Sequence, residues 1–276
     1  MKLNFQGRAA SLRGLNFWQR GSAALPLLIV MILFFVVGAT AETTNTWSDA
    51  EIQGRQLAQQ LCETSPAQNF TNTGVMKVRD GNGKTTEVLI HVETFVTASN
   101  WTTSYELFPR NNSTNTITLK KLVVVHTPAS ANQYRLTFSP GESPDRPGTK
   151  DNSGVITMLP FAGDFVCADL GLEFFHWPQQ KVLPNPTNLK RGRSFTLLES
   201  THPNPPTNGY SRVRSWIDKE SGGILEAEAY DFKGKLLKDF APKSFKKVNG
   251  QWQLQEMDIR NVQTDSRTRL EFDLKP

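Results

Sequence analysis

The chain has 276 residues, 38% of them hydrophobic and 21% charged, a globular composition that excludes a disordered or fibrous protein. Its 31 lysines and arginines outnumber 26 acids, but four of those cations, and no acid, fall in the first 22 residues. The remaining 27 cations nearly balance the acids, so there is no concentrated basic field and no nucleic-acid partner is expected.

The start of the chain reads as an export signal. Lys2, Arg8, Arg13 and Arg20 precede the apolar run "AALPLLIVMILFFVV" from Ala23 to Val37, and Ala39-Thr40-Ala41 follows. This pattern predicts a signal peptide over 1–41, with cleavage after Ala41 and a single β domain over 42–276. The expected location is the periplasm. The alternative is an inner-membrane anchor through uncleaved residues 23–41. No cysteine stands directly after the apolar run, where Gly38 to Glu42 follow, so an N-terminal lipid of the usual bacterial kind is not expected.

"SDAEIQGRQLAQQLCE" (48–63) has Ser48 and Glu51 at capping-box spacing. Ile52, Leu57, Ala58, Leu61 and Cys62 give it an apolar face, predicting an amphipathic helix. "GVMKVRD" and "KTTEVLIHVETFV" flank Gly81-Asn82-Gly83, a hairpin signal. The same turn spells "GNGKTT", but a phosphate loop needs a glycine where Val78 stands. Strands are predicted at 101–108, 116–127, 133–139 and 154–161, all rich in β-branched and aromatic residues. "SPGESPDRPG" (139–148) is a loop, and the prolines from Pro178 to Pro206 make most of 178–209 read as loop as well.

Between them lies "DFVCADLGLEFFHWP" (164–178). Asp164 and Asp169 suit caps of a short helical turn. Phe161, Phe165, Phe174, Phe175 and Trp177 form an aromatic cluster. Two readings stay open: the cluster completes the core under a lid, or it lines a cavity for an apolar ligand. Catalytic signals are missing. His91, His126, His176 and His202 make no zinc-binding spacing, and no nucleophile elbow occurs. The chain is not expected to be an enzyme, and neither a metal nor a cofactor is expected. Exported chains fold in an oxidising compartment, so Cys62 and Cys167 are candidates for a disulfide worth about 4–5 kcal/mol. Two buried thiols are the other reading. Sequons at Asn69, Asn100, Asn111 and Asn112 matter only in a eukaryotic secretory pathway.

The last third reads as strands: "YSRVRSWIDK", "ILEAEAYD", "KLLKDF", "SFKKV", "QWQLQEMDIRN" and "RTRLEFDL", joined by short links. In the final one Thr268, Leu270, Phe272 and Leu274 alternate with Arg267, Arg269, Glu271 and Asp273, so one face is buried and one wet. Ten or eleven strands and one good helix predict a mainly β (α+β) domain: a large curled antiparallel sheet whose mouth the helix and 164–177 plug.

"DLGLEFFHWPQQKVL", "RGRSFTLLES", the run from "YSRVRSWIDKESGGILEAEAYD" through "NGQWQLQEMDIRNVQT", and "SRTRLEFDL" resemble the outer-membrane lipoprotein-sorting protein family, that is, LolA-like proteins, in a longer variant. The resemblance spans roughly 48–274 and is strongest from 164 onward. It implies an unclosed β-barrel with a helical lid over an apolar cavity (LolA/LppX-like). It also implies a soluble periplasmic carrier, or chaperone, that binds the acyl chains of lipoproteins or lipids; a monomer is expected. Such a carrier takes them from an inner-membrane release complex to an outer-membrane acceptor. The alternative is an envelope sensor or assembly module of the same fold that binds lipid or protein without transport. By inward alternation, the candidate cavity residues are Phe95, Leu107, Val124, Leu136, Phe138, Phe174, Trp177 and Trp216. With about 235 residues after the expected cleavage, the chain is longer than a minimal sorting protein, and the two cysteines are not a signature of the family.

Overall fold

A computed structural model describes residues 47–109, 119–138, 154–184, 189–248 and 251–274. The leader expected at 1–41 and the loop expected at 139–148 lie outside the described residues.

The described chain opens with α1 (Asp49–Glu63). The capping box forms: the Ser48 amide donates to the Glu51 carboxylate at 2.9 Å and the Ser48 hydroxyl to the same oxygen at 2.7 Å. Leu57, Ala58, Leu61 and Cys62 pack on the core, while Ile52 is exposed. Gly54 lets the helix lie directly on a strand, because a Cβ there would come within 2.5 Å of the Lys181 backbone nitrogen.

A meander follows: β1 (Phe70–Arg79), β2 (Thr85–Val96), β3 (Trp101–Pro109), β4 (Leu119–His126) and β5 (Gln133–Phe138). The turn between β1 and β2 sits where the glycines predict. The Asp80 carboxylate accepts the Asn82 and Lys84 amides at 3.0 and 2.9 Å, and Gly83 adopts φ +85°.

The middle of the chain is irregular. It comprises α2 (Gly154–Thr157), β6 (Pro160–Ala162), β7 (Phe165–Val166), α3 (Cys167–Gly171) and a 3-10 turn, Glu173–His176. The strand expected at 154–161 is therefore a helical turn followed by the short β6. A short apolar run has the same composition in a buried helical turn as in a strand, and Ile156 and Met158 are buried.

The remaining elements are β8 (Gln179–Leu183), β9 (Leu189–Lys190), β10 (Arg193–Thr201), β11 (Tyr210–Asp218), β12 (Ile224–Asp231), β13 (Leu236–Val248), β14 (Gln251–Asn261) and β15 (Ser266–Phe272). The loop expected over most of 178–209 gives way to β8 and β10. The prolines bracket these strands and do not interrupt them: Pro178 and Pro184 flank β8, and β10 contains none. "KLLKDF" and "SFKKV" form one strand, β13, with bulges on both sides of Ser244 next to Pro242. A proline is tolerated at such a bulge because the ladder is already broken there.

Almost all of these strands form one antiparallel sheet in the order β5-β4-β3-β2-β1-β15-β14-β13-β12-β11-β10-β8, with β9 also on β10. The pairing of β1 with β15, Gly74 opposite Phe272 through Arg79 opposite Arg267, fuses the two halves of the chain. The edges β5 and β8 do not pair with each other, so the sheet is curled but not closed. One continuous core, from Ala58 of α1 and Tyr134 of β5 to Leu198 of β10, fills the concave side.

Candidate functional site

The concave wall is built by strict alternation. Val88, Ile90 and Val92 of β2, Leu107 of β3, Leu122 and Val124 of β4, and Val213 and Ile217 of β11 all point inward and are buried. Thr268 and Leu270 of β15 continue the wall, as the pattern of the last strand predicts. The segment 154–177 lies against this wall. Phe161, Phe165, Phe174 and Phe175 are buried in it. The Phe174 ring centroid lies 4.6 Å from Phe175 and 6.5 Å from both Phe240 of β13 and Trp177. Leu107, Val124 and Phe174 are each at most 1% exposed and belong to one core, so wall and lid are packed together and, among the described residues, the apolar cavity that the resemblance implies stands filled.

Few polar bonds hold the lid, and they reach it from both free edges and the middle of the sheet. At the β5 edge, the Tyr134 hydroxyl donates to the Glu173 carboxylate at 2.7 Å, and Asn132 donates to the Gly171 carbonyl at 2.7 Å. At the β8 edge, the Gln180 amide donates to the carbonyls of Phe174 and Trp177, both at 2.9 Å. The Gln180 amide oxygen in turn accepts from Ser200 of β10 at 2.7 Å. In the middle, the Lys238 ammonium donates to the Asp164 carbonyl at 2.5 Å and lies 3.6 Å from the Asp169 carboxylate. Tyr210 of β11 donates to Asp169 at 2.9 Å, and Thr268 donates to Asp164 at 2.9 Å. The lid thus spans the gap that backbone pairing leaves between β5 and β8. Asp169 caps α3 by accepting the Val166 amide at 2.9 Å, as expected for it; Asp164 instead anchors the lid on Ser266 and Thr268 of β15.

Burial sets the protonation behaviour of this seam. The Glu173 carboxyl is pushed up by burial, opposed by the bonds from Tyr134 and Asn132. Burial pushes His176 down, and His126 down to about 4. His126 stacks on Trp101 with ring centroids 4.9 Å apart. Cys167 is buried and its thiol is pushed up to about 12, chiefly by burial. That is the reverse of an activated nucleophile. Among the described residues no group of three or more metal-ligating side chains assembles, and no helix is long and apolar enough to cross a membrane.

Six of the eight candidate cavity residues stand on the concave side. Leu107, Val124 and Phe174 are buried, and Leu136, Phe138 and Trp177 pack against the core at its margin. Two do not. Phe95 is 61% exposed, because β2 buries Val88, Ile90, Val92 and Thr94 and so turns odd positions outward. Trp216 lies on the convex face, since Val213, Ser215 and Ile217 take the inner phase of β11; the Lys190 ammonium sits 3.6 Å above its ring. The disulfide is not formed either. Cys62 on α1 and Cys167 at the start of α3 are both free, Cys62 near Glu173 and Cys167 near Asp169. Alternation missed Lys238, Tyr210, Asn132 and Gln180, because a polar residue is assigned to solvent by default. The one available signal is that Lys238 shares the inward phase of Phe240.

Solved structures share this architecture at low sequence identity. A putative outer membrane lipoprotein-sorting protein domain from Vibrio parahaemolyticus matches with a TM-score of 0.63 at 19% identity, covering 81% of this chain and 92% of its own. A LolA superfamily protein from Nitrosomonas europaea matches with a TM-score of 0.54 at 12% identity, covering 82% and 93%. The fold is LolA-like. A DUF1329 family protein from Desulfovibrio piger matches with a TM-score of 0.61 at 20% identity and coverage of 82% and 92%. A family model described only as an uncharacterized protein matches residues 164–274, from the first residue of the lid's aromatic segment to the end of the sheet. A search of curated proteins finds no match.

Proposed function

We propose that this chain is a periplasmic carrier that shields the acyl chains of lipoproteins or lipids and moves them toward the outer membrane. The observation that carries this reading is the construction of the interior. The apolar wall of an unclosed sheet is covered by a short aromatic segment, 164–177, not by a second sheet. Phe165, Phe174 and Phe175 occupy the place where a hydrocarbon would lie, so the lid is a displaceable stand-in for the cargo. Each methylene withdrawn from water is worth about 0.8 kcal/mol, which makes unaided transfer of an acyl chain slow and a shielded route useful. The lid aromatics lose their own burial when cargo enters. Net affinity is thereby held down, and release stays possible. The fold shared with lipoprotein-sorting proteins supports the reading, as does the export signal expected at 1–41. The expected partners are an inner-membrane release complex and an outer-membrane acceptor. The carrier chemistry involves no covalent step.

Organic extraction and mass spectrometry of the protein purified from its own periplasm tests the proposal. Acyl lipid or lipopeptide recovered in near-stoichiometric amount is the expected result. Lipid-free protein that also takes up no acyl probe in solution would leave the wall as ordinary core.

A further inference from the structure

The convex face carries a feature that the carrier reading does not use. At the far end of the β13–β14 hairpin, Trp252 is 68% exposed and Phe245 is 53% exposed. The register places Lys247 directly opposite Trp252 and Phe245 directly opposite Leu254, so all four share one face. Burying two aromatics of this size on the concave side would have been favourable; the strand instead holds them in water, next to cations. The nearby acids on that face are already neutralised. Glu256 pairs with Arg269 at 3.1 Å, and Asp258 is held by Arg267, Arg269 and Lys243. On the adjoining side, Arg191 donates to the Pro242 carbonyl at 2.8 Å, with Lys190 over Trp216 beside it. The outcome is an aromatic and basic strip at a strand end.

We propose that this strip, Phe245, Trp252 and Leu254 flanked by Lys243 and Lys247, is a docking surface for an anionic phospholipid bilayer. Trp and Phe settle at the headgroup level of a membrane, where one side of the ring meets hydrocarbon and the other meets polar groups. Lysines beside them are drawn to the negative lipid surface and lose that attraction in salt. Docking through the convex face leaves the lid on the concave face free, so this proposal stands whether or not the interior carries cargo.

The test uses the full chain and vesicles of phosphatidylcholine with or without phosphatidylglycerol, containing lipids brominated near the headgroup. The readout is the Trp252 fluorescence, taken as wild type minus Trp252→Phe. It isolates this hairpin from any anchoring by residues 23–41. Quenching of the Trp252 signal on phosphatidylglycerol vesicles, relieved at high salt, is expected. Lys243→Gln with Lys247→Gln should raise the lipid concentration for half-quenching roughly 25-fold, about fivefold per lysine. Phe245→Ser should weaken quenching with an unchanged melting temperature. Trp252 emission that brominated lipid leaves untouched, while the protein sediments with the vesicles, would overturn the proposal. So would quenching equal on neutral and anionic vesicles, or a photo-crosslinker at position 252 that captures protein and no lipid.

Discussion

The two faces of the one sheet spend their polar groups differently. On the convex face, charges pair across neighbouring strands: Arg269 of β15 with Asp258 of β14 at 2.9 Å, Arg214 of β11 with Glu199 of β10 at 2.8 Å, Lys77 of β1 with Glu271 of β15 at 2.7 Å. On the concave face, Tyr134, Lys238, Tyr210, Thr268 and Gln180 direct their bonds to the lid. Convex pairs stitch strands that the backbone ladder already joins. Concave bonds are the specific ties of a segment that no ladder holds in the main sheet, since β6 and β7 pair only with each other. The lid shares the sheet's continuous core, but its attachment rests on directional side-chain contacts and its aromatics instead of a backbone ladder.

Lys238 offers the sharpest way to break this contrast. Its ammonium is nearly fully buried between Asp169 and the Asp164 carbonyl. Lys238→Ala leaves Asp169 without its cation and should cost about 3–5 kcal/mol in chemical denaturation. Lys238→Met combined with Asp169→Asn should recover at least half of that, because removing both charges leaves no unpaired ion. A second, smaller effect is expected at the β5 edge. Tyr134→Phe leaves the buried Glu173 carboxyl with only the longer bond from Asn132 at 3.4 Å and should cost about 1–2 kcal/mol, with faster hydrogen exchange confined to the lid amides.

A pH titration sharpens the same comparison. Burial lowers His126 to about 4 and also lowers His176. A histidine whose folded value is depressed contributes stability in full above its unfolded value near 6.5, and loses it as the pH falls toward the folded value. Glu173, raised by burial, acts in the opposite sense: its ionisation weakens the closed lid, and acid relieves that strain. His202 is lowered by burial as well and Asp239 is raised, so three histidines against two carboxyls predict a melting temperature that falls between pH 6.5 and 5. His126→Phe, which keeps a ring against Trp101, should flatten that slope. The convex face supplies the smallest effects. Arg269→Ala should cost less than about 1 kcal/mol, since the pair is partly exposed and Arg267 also holds Asp258. Phe95→Ser should stay within about 0.5 kcal/mol.

Much of the sheet is legible in the sequence because alternation and short turns are local. β15 shows this best: Thr268 and Leu270 are buried and their neighbours are ion-paired, as the pattern requires. Phe95 and Trp216 fail for a related reason. A large aromatic draws attention, but the phase of its strand is set by smaller residues, Val88, Ile90 and Val92 in one case, Val213 and Ile217 in the other. The strands β8 and β10 were hidden by proline content, which marks strand ends as readily as loops. The lid's ties were hidden most completely. Whether Asn132 or Gln180 faces solvent or a carbonyl depends on where 164–177 packs, which for Asn132 joins residues 39 positions apart. The aromatic cluster itself was visible; its seat against Phe240 was not.

The proposed carrier role requires a lid that is exchangeable for hydrocarbon. The most direct test follows hydrogen exchange across the chain with and without a C16 acyl probe bound. If the account holds, binding accelerates the amides of 164–177 while those of β3, β4 and β11 beneath them keep or gain protection. Acyl binding that leaves the lid amides unchanged, with Phe174 still seated on Phe240, would contradict it.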